Sequence, residues 1–189
     1  EGALYVGTYT GEIWKYTLDS AGMPSGTPFK ISAYSGNATI TGLAFYPEST
    51  SANPILWVDR GIFCTANCPN FTGKLSVLSC TNYSTVREVV TGFPRAVTDH
   101  MNNGIAFGPD GKLYLSQGSI SGYGAPDAVW GNRSESLLNA TILVLDVNGD
   151  SRFKTGTPIN VYTSSPNSYN PFASNAPVKI WTEGVRNVF

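Results

Sequence analysis

The sequence predicts an all-β protein assembled from repeated four-stranded antiparallel units. Hydrophobic residues make up 41% of the 189 residues, charged residues make up only 13%, and the chain contains 20 glycines and 12 prolines. This composition suits short strands joined by tight turns, and it supplies enough apolar side chains to fill a core. Two further observations, a recurring sequence pattern and regularly spaced apolar runs, support the same fold class.

The recurring pattern consists of two segment types that alternate along the chain. Residues 42–48 match residues 104–110, and residues 11–18 match residues 73–80, in both cases at a spacing of 62 positions. A looser copy of the second segment type begins at Ala140, 67 positions after residue 73. A nearly fixed spacing of this size, with strands inside each unit, is typical of repeat architectures.

The apolar runs predict four strands in each of two complete units. The first unit is predicted to contain strands at residues 42–46, 55–59, 73–80 and 87–91. The second is predicted to contain strands at residues 104–107, 112–117, 141–147 and 178–183. The Pro-Asp-Gly sequence at residues 109–111 predicts the turn between the first two strands of the second unit.

Four-stranded units repeated around an axis form a β-propeller. Residues 3–7 match the second strand of a unit, and residues 186–189 fall where the first strand of another unit is expected. Residues 1–189 are therefore predicted to form a partial propeller domain of about three blades. Because an incomplete propeller leaves sheet edges unpaired, we expect the chain to be a fragment of a longer protein that supplies the missing blades.

Charge and hydropathy exclude two classes of partner. Twelve basic and thirteen acidic residues give a net charge of −1, and Lys and Arg are scattered singly. No basic patch therefore predicts nucleic-acid binding. No apolar run approaches the roughly 20 residues that span a bilayer, so no membrane span is predicted.

Cysteine and asparagine positions predict a secreted, disulfide-bonded glycoprotein. Three cysteines lie within 17 positions, so at least one disulfide is expected and one cysteine is left over; the spacing leaves the pairing open. The cysteines are Cys64, Cys68 and Cys80. The Asn-x-Ser/Thr glycosylation acceptors are Asn37, Asn70, Asn82, Asn132 and Asn139. An extracellular location accommodates both features.

Several motifs occur in an order that resembles one known family. Residues 99–114 contain a His before a strand and the phrase FGPDGKLY, and residues 183–187 contain Gly-Val-Arg-Asn. Residues 41–48 are similar to a GLLGIAFHPD motif, and Asn170-Pro171-Phe172 to an NPF loop. Together these motifs resemble the glucose/sorbosone dehydrogenase family of six-bladed propellers. The resemblance implies oxidation of a sugar with pyrroloquinoline quinone as cofactor and calcium holding that cofactor.

The resemblance also implies a role for each matched residue. His100, the single His of the chain, would be the base that takes a proton from a sugar hydroxyl, and Asp99 would orient that base or the sugar. Arg186 and Asn187 would contact the quinone. Asn37 occupies the position of a substrate-contacting residue. No residue is assigned to the metal, because the family's calcium ligands correspond to positions beyond residue 189.

Two functions from different classes remain open at this stage. One is a quinone-dependent sugar dehydrogenase, for which His100 and Arg186 must converge on one face although 86 positions separate them. The other is a non-catalytic extracellular scaffold or binding module on the same propeller, as in relatives such as hedgehog-interacting protein. A sugar is the expected partner in the first case and an extracellular protein in the second. A glycan on Asn37 would favour the second, because it would block the central site.

Overall fold

The computed structural model describes residues 2–31, 38–163 and 168–188, and this part of the chain is all-β. It contains twelve strands, one short 3-10 helix and no α-helix. The strands are β1 (Ala3–Gly7), β2 (Ile13–Leu18), β3 (Pro24–Ile31), β4 (Ala38–Phe45), β5 (Leu56–Ile62), β6 (Gly73–Ser79), β7 (Thr85–Phe93), β8 (Asn102–Phe107), β9 (Leu113–Gln117), β10 (Thr141–Leu145), β11 (Ile159–Asn160) and β12 (Val178–Glu183). The 3-10 helix is Ser151–Lys154, between β10 and β11.

The strands form three sheets, which follow one another along the chain except for β11, a strand of the second sheet that lies between two strands of the third. The first sheet has the order β1-β2-β3, the second β11-β7-β6-β5-β4, and the third β12-β10-β9-β8. Within each sheet, adjacent strands pair antiparallel, except that β11 pairs parallel with β7. The eight strands predicted for the two complete units all occur, at bounds within a few residues of those expected. The prediction of an all-β, antiparallel protein is confirmed.

The prediction of four strands in every unit is correct for the third sheet and wrong for the second. The second sheet contains β11 as a fifth strand, contributed by the long connection between β10 and β12. The amide of Val161 also donates to the carbonyl of Thr91, 2.9 Å away, which extends this pairing. Strand β7 would otherwise present a free row of backbone donors and acceptors, and β11 satisfies part of it.

Turn residues lie where the predicted strands meet. The amide of Gly108 donates to the carbonyl of Lys112 at 2.9 Å, and the amide of Gly111 donates back to the carbonyl of Gly108 at 3.0 Å. Gly111 adopts a φ of +75°, which residues with a β-carbon rarely adopt. This turn joins β8 to β9 and confirms the predicted Pro-Asp-Gly turn.

Apolar side chains alternate between two sheet junctions. On β5, Leu56 and Val58 pack with Ile13 of the first sheet, whereas the intervening Trp57 packs with Leu115 of the third sheet. Successive strand residues point to opposite faces, so a continuous apolar run serves a sheet that is covered on both sides. The second sheet is therefore the middle layer of the described chain.

Strands β4 and β8 are edge strands of their own sheets and pack against each other. A β-carbon on Gly42 would lie 2.9 Å from the amide nitrogen of Ile105 and 3.1 Å from the α-carbon of Gly104, so this approach requires glycine. Further along both strands, the ring centroids of Tyr46 and Phe107 lie 5.6 Å apart. The two strands therefore run side by side in the same direction.

Candidate functional site

His100 lies on a turn between β7 and β8, two residues before β8 begins. Its carbonyl accepts a hydrogen bond from the amide of Ala96 at 2.8 Å, which closes the turn. The imidazole is buried, with 6% of the residue exposed, and its ring centroid lies 4.2 Å from that of Trp130. Tight backbone pairing on one side and an indole ring on the other hold the imidazole in a single place.

Ser119 determines which imidazole nitrogen carries the proton. Nδ1 of His100 lies 3.1 Å from the carbonyl oxygen of Ser119 and 3.0 Å from its hydroxyl oxygen. The hydroxyl donates its own proton to the carbonyl of Ser121 at 2.8 Å. Both oxygens therefore accept from the imidazole, Nδ1 carries the hydrogen, and Nε2 keeps a lone pair in the neutral ring.

The environment of His100 keeps the imidazole neutral at physiological pH. Burial is the main cause that lowers the pKa of His100 below its ordinary value of 6.5, and the charge of Arg186 lowers it further. The charges of Asp99 and Glu135 and the hydrogen bond to Ser119 act in the opposite direction without reversing the shift. A neutral imidazole with a lone pair on Nε2 can accept a proton.

The segment that contains Arg186 and Asn187 approaches the same place from the other end of the chain. It follows β12, and the carbonyl of Arg186 accepts a hydrogen bond from the amide of Ser119 at 2.7 Å. The side-chain oxygen of Asn187 accepts a hydrogen bond from the side-chain amide of Asn103, on β8. The backbone of Arg186 and the side chain of His100 are thus both hydrogen-bonded to Ser119, although 86 positions separate these two residues.

Gly118 occupies the point where these segments meet. A β-carbon there would lie 2.6 Å from the side-chain oxygen of Asn187 and 3.1 Å from the β-carbon of His100. Gly118 is therefore required by close packing, and not by an unusual backbone angle. Any larger residue at this position would push the His100 turn and the Asn187 segment apart.

The loop between β9 and β10 covers the imidazole. The carboxylate of Glu135 accepts hydrogen bonds from the amides of Ile120 and Ser121 at 2.8 and 2.9 Å, and from the Ser121 hydroxyl at 2.7 Å. The same loop presents Trp130 to His100 and presents Tyr123, whose ring centroid lies 5.9 Å from the guanidinium carbon of Arg186. Aromatic side chains of one loop therefore contact both of the predicted functional residues.

A buried arginine holds the turn that contains His100. Arg95 is 1% exposed, and its guanidinium donates only to carbonyl oxygens. These belong to Ile62, Cys64, Ala96 and Thr98. Burial lowers the pKa of Arg95, but a guanidinium stays protonated in proteins. The turn before β8 is thereby tied to the segment that follows β5.

The other sequence-predicted site residues have different surroundings. Asp99 is exposed, and its carboxylate accepts a hydrogen bond from the Thr98 hydroxyl at 3.1 Å. Among the described residues it is Ser119, and not Asp99, that hydrogen-bonds the imidazole. A role for Asp99 toward a sugar stays a prediction. Asn37 lies outside the described residues.

Sequence reasoning did not assign Ser119, Trp130 or Glu135 to the site. Their contacts depend on how the long β9–β10 loop folds back, and no local pattern indicates that path. The sequence offered one signal. Gly118 comes directly after a strand and before a polar residue, and a glycine in that position often marks the close approach of two backbone segments.

The cysteine and asparagine side chains agree in part with the predicted disulfide-bonded glycoprotein. Cys64 and Cys68 form a disulfide, which confirms that the three cysteines supply at least one, and Cys80 is free and exposed. Among the glycosylation acceptors, Asn82 and Asn132 are exposed and Asn70 is half-buried.

Asn139 differs from the other acceptors in the described ranges. It is 5% exposed, its Nδ2 donates to the Gly118 carbonyl at 3.1 Å, and its Oδ1 accepts from the amide of Ser136 at 3.0 Å. A glycan on Nδ2 is incompatible with this arrangement, because the buried side chain leaves no room for a sugar.

Two classes of feature are not found in the described residues. No group of three or more His, Cys, Asp and Glu side chains within residues 2–31, 38–163 and 168–188 is arranged to hold a metal ion. Over the same ranges, none of the helical structure is long and apolar enough to cross a bilayer.

Comparison with known proteins supports the fold class. Neither a protein-family model nor a curated protein sequence matches the chain. Among solved structures, the fold is similar to that of a sugar-dehydrogenase-like oxidoreductase. That protein is from Thermus thermophilus, and its crystal structure is provisionally described as an oxidoreductase (glucose dehydrogenase). The two structures superpose with a TM-score of 0.56, and the two sequences are 22% identical. The match covers 98% of this chain and 48% of that chain, so this chain spans about half of its length.

Proposed function

We propose that the three sheets are consecutive blades of a β-propeller. Equivalent aromatic pairs at the two junctions support this arrangement. Tyr5 meets Phe45 with an interplanar angle of 78°, and Trp57 meets Phe107 with an angle of 79°. Tyr5 lies on β1, which the repeat aligns with β5, the strand of Trp57, and each pair reaches the last residue of the first strand of the next sheet. Successive sheets that pack on one another in this way, continued around an axis, would close a ring of blades.

We further propose that the complete protein is a secreted sugar dehydrogenase in which His100 is the catalytic base. The single observation that carries this proposal is the hydrogen bond from Nδ1 to the carbonyl of Ser119, which leaves the lone pair on Nε2. In the reaction, Nε2 takes the proton of a sugar hydroxyl while the hydride of the same carbon leaves for an acceptor. The Ser119 carbonyl stabilises the imidazolium that forms.

Arg186 and Asn187 are suited to hold pyrroloquinoline quinone, a planar tricarboxylate. Arg186 is exposed, and no carboxylate of the described residues forms an ion pair with it, so its guanidinium can meet an anionic group. The quinone, when bound, supplies the hydride acceptor. Arg186 would bind and orient it, and the side-chain amide of Asn187 is already fixed by Asn103. Calcium is part of the proposal as the cofactor's partner, with ligands outside the described residues.

A binding module without catalysis is the second candidate, and Trp130 is the observation that favours it. The indole lies against the imidazole and leaves His100 only 6% exposed. A sugar hydroxyl could reach Nε2 only if the β9–β10 loop shifts. On this second proposal the same face would bind an extracellular protein, and His100 would be a buried packing residue.

A dye-linked sugar oxidation assay on the full-length protein, with quinone and calcium added, tests the proposal. We expect turnover that falls about 100-fold or more in His100→Asn, the usual size of a general-base contribution. Because the pKa of His100 is lowered, kcat/KM should be constant above pH 6.5 and should fall only at more acid pH.

A glycine pair provides the matched control. Gly118→Ala removes no polar atom, but its β-carbon separates Asn187 from His100, so it should also abolish turnover. Gly156→Ala makes the same change where a β-carbon meets nothing within 4 Å and should leave turnover unchanged. No turnover of any sugar by the wild-type protein, together with a glycan on Asn37, would reject the dehydrogenase in favour of the binding module.

A further inference from the structure

Glu135 is a half-buried carboxylate of the β9–β10 loop, the loop that covers His100. Its two oxygens accept three hydrogen bonds from described residues, and all three donors belong to Ile120 and Ser121. No cationic side chain of the described residues forms an ion pair with it. Its negative charge is therefore not neutralised by a cation, and it lies close enough to His100 to act on the imidazole.

A chain of hydrogen bonds leads from Glu135 to the imidazole. The carboxylate binds both the amide and the hydroxyl of Ser121, and the carbonyl of Ser121 accepts from the Ser119 hydroxyl at 2.8 Å. The hydroxyl oxygen of Ser119 in turn lies 3.0 Å from Nδ1 of His100. Ser121 is 0% exposed and Ser119 is 4% exposed, so water does not compete for these groups. Because Glu135 holds Ser121 at two atoms, it determines where the acceptor of the Ser119 hydroxyl lies.

The charge of Glu135 sets the direction of the protons in this chain. An ionised carboxylate only accepts, so the hydroxyl of Ser121 donates to it. The oxygen of that hydroxyl accepts from the amide of Gly124 at 2.7 Å. The Ser119 hydroxyl donates to the Ser121 carbonyl and offers a lone pair to Nδ1–H. A neutral amide at position 135 would not fix these directions, because an amide side chain both donates and accepts.

Three charged side chains of the described residues act on His100, one from each segment packed around it. Burial is the main cause that lowers the pKa of His100; Asp99 and, less strongly, Glu135 raise it, whereas Arg186 lowers it further. Asp99 is exposed and acts through its charge alone, which dissolved ions screen. Glu135 acts on the imidazole in two ways, through its charge and through the hydrogen-bonded chain.

Asp127 shows what a carboxylate of the same loop does when it serves the loop alone. It is also half-buried, and it accepts hydrogen bonds from the amide of Trp130 at 3.0 Å and from the amide of Gly122 at 3.4 Å. These bonds close a turn at the tip of the loop and do not involve Ser119. The loop therefore contains two comparable carboxylates, of which Glu135 is the one that leads by hydrogen bonds to the imidazole.

We infer that Glu135 is a positioning residue for the imidazole of His100. Through Ser121 it holds the Ser119 hydroxyl against Nδ1, and its charge stabilises the imidazolium that forms when Nε2 takes a proton. Glu135 itself takes no proton and does not touch the sugar. The catalytic part of this inference rests on the proposed dehydrogenase, whereas the effect on the imidazole does not require turnover.

Nuclear magnetic resonance of the full-length protein, labelled with nitrogen-15, measures the imidazole directly. The signals of His100 are identified by their loss in His100→Asn. Glu135→Gln keeps the size of the side chain but cannot accept from all three donors. Its Nδ1 hydrogen should therefore exchange with water about tenfold faster than in the wild type, which corresponds to the loss of one ordinary hydrogen bond. The pKa of His100 should also fall below that of the wild type, because a negative charge is removed.

Two further variants separate the charge of Glu135 from the structure of the loop. Glu135→Asp keeps the charge but is too short to reach all three donors, so the Nδ1 hydrogen should exchange faster while the pKa of His100 stays close to that of the wild type. Asp127→Asn removes a carboxylate that binds backbone amides in the same loop, and it should change neither quantity. Unchanged Nδ1 exchange in both Glu135 variants, or an equal change in Asp127→Asn, would overturn the inference.

Kinetic measurements connect the inference to catalysis. If the wild-type protein oxidises a sugar, kcat of Glu135→Gln should fall about tenfold while KM for the sugar stays the same, because Glu135 does not contact the sugar. A raised KM with unchanged kcat would contradict a positioning role. A wild-type protein that oxidises no sugar would reject the proposed dehydrogenase, and the resonance measurements would still decide whether Glu135 positions the imidazole.

Discussion

Asp59 predicts an unusual dependence of stability on pH. It is fully buried on β5, where its carboxylate accepts hydrogen bonds from the Thr41 hydroxyl and from the side-chain amide of Asn102, on β8 of the third sheet. Burial outweighs these hydrogen bonds and raises the pKa of Asp59 from 3.8 to about 7. The folded state therefore holds a proton that the unfolded chain releases above pH 4.

The sign and size of the effect follow from this difference in pKa. Between pH 4 and 7 the folded state binds more protons than the unfolded state at this carboxyl, so the free energy of unfolding falls as the pH rises. A shift of about three units corresponds to a loss of about 4 kcal/mol across this interval. Above pH 7 the contribution of Asp59 is constant, because both states are then ionised.

Urea unfolding of the full-length protein at a series of pH values from 4 to 8 measures the effect. Over this range the free energy of unfolding of the wild-type protein should fall by up to about 4 kcal/mol relative to that of Asp59→Asn. His100, with its lowered pKa, makes stability rise with pH as the unfolded imidazole loses its proton, but this contribution is common to both proteins and cancels in the difference. Asp146→Asn, which removes an exposed carboxyl, should behave like the wild type. The free energy of unfolding of the wild type minus that of Asp59→Asn should fall with pH. A difference that stays flat, or that rises with pH, would refute the reasoning.

Two further predictions concern the turn before β8 and the glycosylation acceptors. Arg95→Met should lower the free energy of unfolding by about 3 kcal/mol, because several buried carbonyls lose their donor. Arg152→Met, on the surface, should lower it by less than about 1 kcal/mol. Chemical denaturation of both variants measures the two changes. Peptide mapping by mass spectrometry of protein secreted from eukaryotic cells should find glycans on Asn82 and Asn132 and none on Asn139, and a fully occupied Asn139 would contradict the structure.

Much of the fold could be predicted because its signals are local. An apolar run such as Ile55–Val58 and a turn such as Pro-Asp-Gly at residues 109–111 are determined by neighbours within a few positions. The recurrence of residues 42–48 at 104–110 then placed equivalent strands in successive sheets. The fifth strand of the second sheet escaped prediction, because β11 contains only two residues and pairs with a strand about 70 positions earlier.

The candidate site was predictable only where a motif could be recognised. His100, Arg186 and Asn187 stood out in the sequence, and the structure brings their segments together at Gly118 and Ser119. The hydrogen bond from the imidazole to Ser119 could not be predicted, since it depends on a long loop returning to the turn before β8.

The sequence by itself determined the strands, the turns, the order of the repeated units and the supply of cysteines, because each depends on short-range patterns of residue type. Only the tertiary structure decided that Cys64 pairs with Cys68, that Asn139 is buried, and that the imidazole of His100 hydrogen-bonds to Ser119. These outcomes depend on which distant segments approach one another, and that is decided by how the sheets pack around their shared apolar clusters.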